Sequence, residues 1–95
     1  MDKTWYLYIL ECKDGTLYTG ITDDVQRRFA QHNAGKGAKY TRGRGPLKLV
    51  YQEVCGSHSD ALKREHGVHR MTRQEKLQLI GHEQNALMEQ CTEIY

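Results

Sequence analysis

Two short alternating runs joined by Lys13-Asp14-Gly15 constrain this chain more than any other stretch. Trp5 to Glu11 is rich in aromatic and β-branched residues, with Trp5, Leu7 and Ile9 on one face and Tyr6, Tyr8 and Leu10 on the other. Leu17 to Ile21 reads as the returning strand. The length of the turn decides which side chains share a face. A two-residue Asp14-Gly15 turn pairs Cys12 with Leu17 and sets Tyr8 and Tyr18 on opposite faces. A three-residue Lys13-Asp14-Gly15 loop, with Gly15 left-handed in a bulge, pairs Cys12 with Thr16 instead. Tyr18 then lies opposite Leu10, diagonal to Tyr8 and on its face. The three-residue loop is the expectation.

Thr22-Asp23-Asp24 is a helix-start cluster, and the helix should run to about His32 or Asn33. Val25 and Phe29 form its buried stripe, and Arg28 and His32 form a parallel row one turn apart. Ala34 to Pro46 is a long loop rich in Gly, Lys and Arg. Leu47 to Val54 is a third strand, with Leu47, Leu49 and Tyr51 alternating with Lys48, Val50 and Gln52. Ser57 or Ser59 caps a second helix from about Asp60 to Arg70, whose apolar positions are Ala61, Leu62 and Val68. Glu65 falls inside that stripe, where a carboxylate needs a cation or a metal. Thr72-Arg73-Gln74-Glu75 is a capping box opening a third helix through Leu77, Leu79 and Ile80, with Gly81 as its C-cap. This gives one domain over residues 1–81 and a tail, 82–95, with room for a short helix at Ala86-Leu87.

A chain of 95 residues has a modest core and no space for a separate substrate domain. No run approaches the roughly 18 apolar residues of a membrane span, and no signal-peptide pattern opens the sequence. Cys12, Cys55 and Cys91 are odd in number and far apart, which argues against a disulfide framework and for a reducing, cytoplasmic setting. The net charge of +2 conceals an uneven distribution. Between Val25 and Val50 stand Arg27, Arg28, Lys36, Lys39, Arg42, Arg44 and Lys48, with no acid. From Glu83 onward there are three glutamates and no Lys or Arg. Charge runs are usually solvated surface. Here Gly35, Gly37, Gly43, Gly45 and Tyr40 interleave the basic residues, a pattern that lets backbone approach a polyanion closely.

Tyr18-Thr19-Gly20, Arg28 and His32, with Tyr8 upstream and Glu65 downstream, suit a phosphodiester better than a hydrophobic core. The blocks Tyr6-Leu7-Tyr8-Ile9-Leu10, Leu17-Tyr18-Thr19-Gly20-Ile21-Thr22, Arg27-Arg28 with His32-Asn33, Gly35 to Arg42, and Ala61-Leu62-Lys63-Arg64-Glu65 occur in order over residues 5 to about 80. In these blocks the chain resembles the GIY-YIG endonuclease superfamily, and most of all its small stand-alone bacterial members. The resemblance implies an α+β fold, a small three-stranded antiparallel sheet flanked by helices. It aligns Tyr8 and Tyr18 with the two motif tyrosines, Gly20 with the second-motif glycine, Arg28 with the catalytic arginine, His32 with the polar residue one turn later and Glu65 with the metal ligand. It also implies a single divalent ion, Mg²⁺ or Mn²⁺. Tyr6 stands where the first-motif glycine would be, Leu7 and Thr19 replace the isoleucines, and Ile21 replaces a lysine found in some relatives. A late polar residue of the family has no good counterpart, Leu77 and Asn85 fitting poorly, and Gly67, mid-helix beside Glu65, has no explanation.

Hydrolysis of a phosphodiester needs an activated water, neutralised phosphoryl oxygens and help for the leaving oxygen. Glu65 can hold Mg²⁺, an ion that keeps several waters; the bland alternative is a structural bridge to Arg28. Arg28 offers fixed, permanently charged donors to phosphate. A tyrosine is a poor base at its reference pKa of about 10, whereas His32 needs no shift. Tyr8 or Tyr18 contacting the water, with His32 assisting, is the expectation. Arg27, Lys36, Lys39, Arg42 and Arg44 are the candidate nucleic-acid contacts, with Tyr40 stacking on a base and Tyr6 and Tyr51 packing. Cys55-x-x-His58 and His66-x-x-His69 superficially suggest zinc, but the gap between pairs is short and half helical. The expected activity is therefore metal-dependent hydrolysis of DNA, single-stranded or branched, by a monomer without membrane contact. The alternatives are a non-catalytic or partner-dependent nucleic-acid-binding module and a protein-interaction domain using the acidic tail.

Overall fold

A computed structural model describes residues 3–81, with the side chain of Tyr40 excepted. The tail, with Asn85, Ala86-Leu87 and Cys91, lies outside the described residues, as does the stacking role expected of Tyr40. Two strands form the expected hairpin, β1 (Trp5–Glu11) and β2 (Leu17–Thr22). Their loop has three residues: the Cys12 N–H donates to Thr16 O at 2.8 Å, and Gly15 takes φ +85°. Asp14 fixes the turn by accepting from the Thr16 N–H and hydroxyl at 3.1 and 2.6 Å. Tyr8 is thereby paired with Gly20, and Tyr18 with Leu10.

Helix α1 (Val25–Asn33) starts at Asp24, whose carboxylate accepts from the Arg27 N–H. A 3₁₀ turn (Lys39–Thr41) interrupts the basic loop, and β3 (Lys48–Gly56) then pairs with β1 on the side away from β2. The sheet order is β2-β1-β3, all antiparallel. The central strand is covered on both faces, which explains why Leu7, Ile9 and Leu10 are wholly buried. Tyr8 and Leu10 pack with Val25 and Leu47 on the α1 side, and Tyr6, Tyr18, Phe29 and Leu49 close that cluster. Leu7 and Ile9 pack with Val68 and Ile80 on the other side.

Strand β3 departs from simple alternation. Ile9 pairs with Tyr51 but Leu10 pairs with Leu49, so Val50 is an extra residue. The bulge turns Tyr51 away from Leu47 and Leu49 and into the Leu7–Ile9 cluster. The expectation that Leu47, Leu49 and Tyr51 share one face is therefore wrong. A second irregularity, between Trp5 and Tyr6, bulges Cys55.

Helix α2 (His58–His69) begins two residues earlier than expected. Ser57 is its cap: its hydroxyl accepts from the Asp60 N–H while the Asp60 carboxylate accepts from the Ser57 N–H. Ala61 and Val68, two turns apart, form the buried stripe, whereas Leu62 is rotated out and 45% exposed. Glu65 and His69 lie on the β2 flank of that stripe. Arg64 lies on the β3 flank, gripping Glu53 through hydrogen bonds of 3.0–3.2 Å. The Tyr51 hydroxyl donates to the same carboxylate at 2.6 Å. The third helix, α3 (residues 73–81), is opened by the expected reciprocal pair of Thr72 and Glu75. Ile80 and Leu79 join the core while Leu77 stays exposed. Gly81, expected as the C-cap, is still helical.

Candidate active site

The hairpin register places Tyr8 and Tyr18 on the α1 face, with ring centroids 6.3 Å apart. Gly20 sits across from Tyr8 because nothing larger fits. A Cβ there would lie 2.6 Å from the phenol oxygen. His32, on the second turn of α1, completes a triangle of rings, 5.8 Å from Tyr8 and 5.3 Å from Tyr18. Its Nε2 is 2.8 Å from the Tyr8 hydroxyl.

Only 2% of His32 reaches solvent, and its far side is held by the basic loop. The Ala38 N–H donates to Nδ1 at 3.3 Å, and the Thr41 hydroxyl lies 3.0 Å from the same nitrogen. Thr41, itself buried, also reaches the Ala38 carbonyl at 2.9 Å. The Thr41 hydroxyl gives its one hydrogen to the Ala38 carbonyl, so Nδ1 faces a hydroxyl oxygen as well as a backbone N–H, and both ring nitrogens are engaged. Gly37 passes so close that a Cβ would overlap the imidazole. Asn33, next to His32, accepts from the Leu47 N–H at 3.1 Å and fastens α1 to the start of β3. Gly37, Thr41 and Asn33 do not stand out as site residues in the sequence. The glycines of this loop look like points of approach for a ligand; Gly37 instead admits the imidazole.

The electrostatics follow from burial and one cation. Burial, and next the neighbouring Tyr18, push the Tyr8 phenol up to about 12, with Arg28 opposing. Burial also raises Tyr18, where Arg28 pulls down and the negative charge of Glu65 pushes up. His32 is held below its ordinary range by burial first and by Arg28 second. At neutral pH the triangle is thus two phenols and a neutral imidazole, with the Arg28 guanidinium supplying positive charge. Arg28 is half-buried and bonded to Gln31 at 3.1 Å.

Glu65 reaches this group from the opposite face of the sheet, around the edge of β2. It lines a groove with Leu17, Tyr18, Thr19, His69 and Lys76. The ion pairs of the described residues do not join Glu65 to Arg28, so the structural bridge is absent. No cluster of three or more His, Cys, Asp or Glu side chains able to hold a metal occurs among the described residues, which removes the zinc alternative. The donor set fits one hydrated, oxygen-seeking divalent ion on a single carboxylate. Thr19, in the isoleucine position of the second motif, leaves its hydroxyl buried without a hydrogen-bond partner among the described residues.

The basic residues divide. Lys36, Lys39 and Arg42 are exposed. Arg27 pairs loosely with Asp23 at 3.5 Å. Arg44 is tied to Asp14 at 2.6 Å, and its carbonyl accepts from the Lys13 N–H, so it pins the loop to the hairpin.

A three-stranded antiparallel sheet carrying Tyr8, Tyr18 and Gly20, with Arg28 and His32 on the first helix and Glu65 on the second, is the arrangement of a nuclease-family domain. The sequence profile of the GIY-YIG catalytic domain matches residues 4–78, and the chain belongs to that family. It is 54% identical over 81 residues to a UPF0213 protein of Staphylococcus saprophyticus, covering 85% of this chain and 98% of that one. It is 56% identical over 77 residues to a UPF0213 protein of Cupriavidus pinatubonensis, covering 81% and 86%. The fold is similar to the solution NMR structure of a UPF0213 protein from Bacillus halodurans, with 51% identity, a TM-score of 0.54 and coverage of 82% and 83%. A second NMR structure, of an E. faecalis protein, is 37% identical with a TM-score of 0.59 and coverage of 85% and 86%. No helix among the described residues is long and apolar enough to cross a membrane.

Proposed function

We propose that this chain is a metal-dependent endonuclease that hydrolyses DNA phosphodiester bonds, with single-stranded or branched DNA as substrate. One observation carries the reading: Tyr18 stands between the His32–Tyr8 pair on one face of the sheet and Glu65 on the other. A phosphate at the β2 edge would meet the Tyr18 phenol and the Glu65 carboxylate in one groove, with the Arg28 guanidinium acting on Tyr18 from the α1 side.

In this reading Arg28 takes the non-bridging phosphate oxygens, where developing charge needs fixed donors. Glu65 would hold a Mg²⁺ or Mn²⁺ ion, which when bound supplies Lewis-acid stabilisation and acidifies a coordinated water. Tyr18, half-buried and facing the Glu65 groove, contacts the attacking water. Tyr8 lies behind it and His32 behind Tyr8. With both nitrogens engaged and almost no exposure, His32 acts by orienting Tyr8 rather than by touching the water. The exposed Lys36, Lys39 and Arg42 receive flanking phosphates. Such a short basic segment favours little sequence readout.

The test is cleavage of labelled single-stranded, duplex and forked DNA with Mg²⁺ or Mn²⁺. Wild type should cut, and Glu65→Gln and Arg28→Ala should each lose at least about 100-fold, as expected for removing a charge-stabilising group. Unchanged cleavage in both variants would reject the assignment. Salt-sensitive binding with no metal-dependent turnover would leave a binding module of the same fold.

A further inference from the structure

The groove that holds Glu65 does not stop at Tyr18. A second cavity, lined by Thr16, Leu17, Arg73 and Lys76, shares Leu17 and Lys76 with it. The two together form one channel along the outer edge of β2, about 10 Å of strand from Thr19 to Thr16. One wall is the edge of the sheet, and the other is built by α2 and the first turns of α3.

The charges along this channel are asymmetric. Glu65 stands at one end, at the proposed scissile position. Beyond it come His69, whose Nε2 approaches the Thr19 carbonyl at 3.5 Å, then Lys76 and Arg73. None of these three takes part in the ion pairs of the described residues. Asp14 is paired with Arg44 and bonded to Thr16, and Glu75 accepts from the Thr72 N–H. Arg73 and Lys76 are three residues apart on α3, so their side chains rise on one face as neighbours. The cations Lys76 and Arg73, leading away from the Glu65 carboxylate, suit a linear polyanion.

We propose that the β2 edge channel is a second nucleic-acid track, in which Lys76 and Arg73 hold successive phosphates of the single strand being cut. The proposal rests on the nuclease reading for the identity of its occupant. It assigns the strand two guides on different elements, the loop of residues 36–42 and the channel beneath α3.

The test is binding of a labelled single-stranded oligonucleotide by the full chain in EDTA across a salt series, alongside cleavage in Mg²⁺. Arg73→Gln/Lys76→Gln keeps good helix formers in α3. It should lower the slope of log affinity against log salt by about 1.4, at about 0.7 for each single-strand phosphate no longer neutralised. Its loss of cleavage should enter through KM. Arg73→Lys/Lys76→Arg, which keeps both charges, should restore the slope, separating charge from damage to the helix. A slope and affinity unchanged in the glutamine variant, with wild-type cleavage intact, would overturn the track and leave the nuclease reading standing. A reduced slope with no cleavage by wild type would support the track and overturn the nuclease reading. No nucleic-acid binding by wild type would overturn both.

Discussion

His32 is the residue on which the candidate site turns, and its burial has a pH signature. An unfolded imidazole titrates near 6.5, and the folded His32 titrates lower. Between those two values the unfolded chain takes up a proton that the folded chain refuses. Stability therefore falls as pH drops through 6.5 and levels off below the folded value. Urea midpoints measured from pH 7.5 to 5 should show this limb, and His32→Gln should flatten it. Thr41→Val keeps the shape of its side chain and deletes the hydroxyl beside Nδ1. It removes the contacts of that hydroxyl with both Nδ1 and the Ala38 carbonyl, should cost about 1–3 kcal/mol in urea unfolding, and should slow cleavage by loosening the imidazole. Thr19 has the opposite sign. Its buried hydroxyl is unpartnered among the described residues, so Thr19→Val should stabilise the fold by about 1 kcal/mol. A Thr19→Val protein less stable than wild type would show that the hydroxyl has found a partner.

At the scale of elements, what could be read from the sequence depended on how local its cause was. The hairpin register was legible because Asp-Gly follows one alternating run and precedes another, and its three-residue loop carried Tyr18 onto the face of Tyr8. The Thr72–Glu75 capping pair was legible for the same reason, spanning three residues, whereas Ser57 was one of two candidate caps and its partner Asp60 was read as the helix start. The bulge at Val50 was not. Leu49, Val50 and Tyr51 are all apolar or aromatic, so an inserted residue leaves no break in the pattern. Nor could sequence reveal that Thr41 backs His32 or that Arg44 is bonded to Asp14, thirty residues away. Those contacts depend on the path of a loop. Gly20 tests the hairpin as a unit. Gly20→Ala forces its methyl into the Tyr8 phenol, which cannot retreat without leaving His32. It should cost about 1–3 kcal/mol, as overpacking of a filled core does, and abolish cleavage. A Gly20→Ala protein of wild-type stability and activity would mean that Tyr8 has another place to go.

For the whole molecule, the site straddles a sheet whose two faces are packed independently. Tyr8, Tyr18, Arg28 and His32 belong to the α1 side; Glu65 belongs to the α2 side and meets Tyr18 at the β2 edge. Neither core cluster includes Glu65. In the proposed reading, stripping divalent ions should stop cleavage and lower the thermal unfolding midpoint only by the small amount that one weakly held ion contributes through mass action, which melting curves with and without EDTA would check. A large fall that persists in Glu65→Gln would indicate a structural ion elsewhere in the chain.

The segment from Ala34 to Pro46 looks like an appendage when read as a string of glycines and cations. Its close passage at Gly37, the Thr41 contact and the Arg44 fastening make it a fitted panel instead. Swapping this stretch for a foreign sequence would retune the imidazole as well as the surface. Any transplant meant to change which nucleic acid is engaged must carry Gly37 and Thr41 along, and has latitude only at the outward-facing positions between them and beyond.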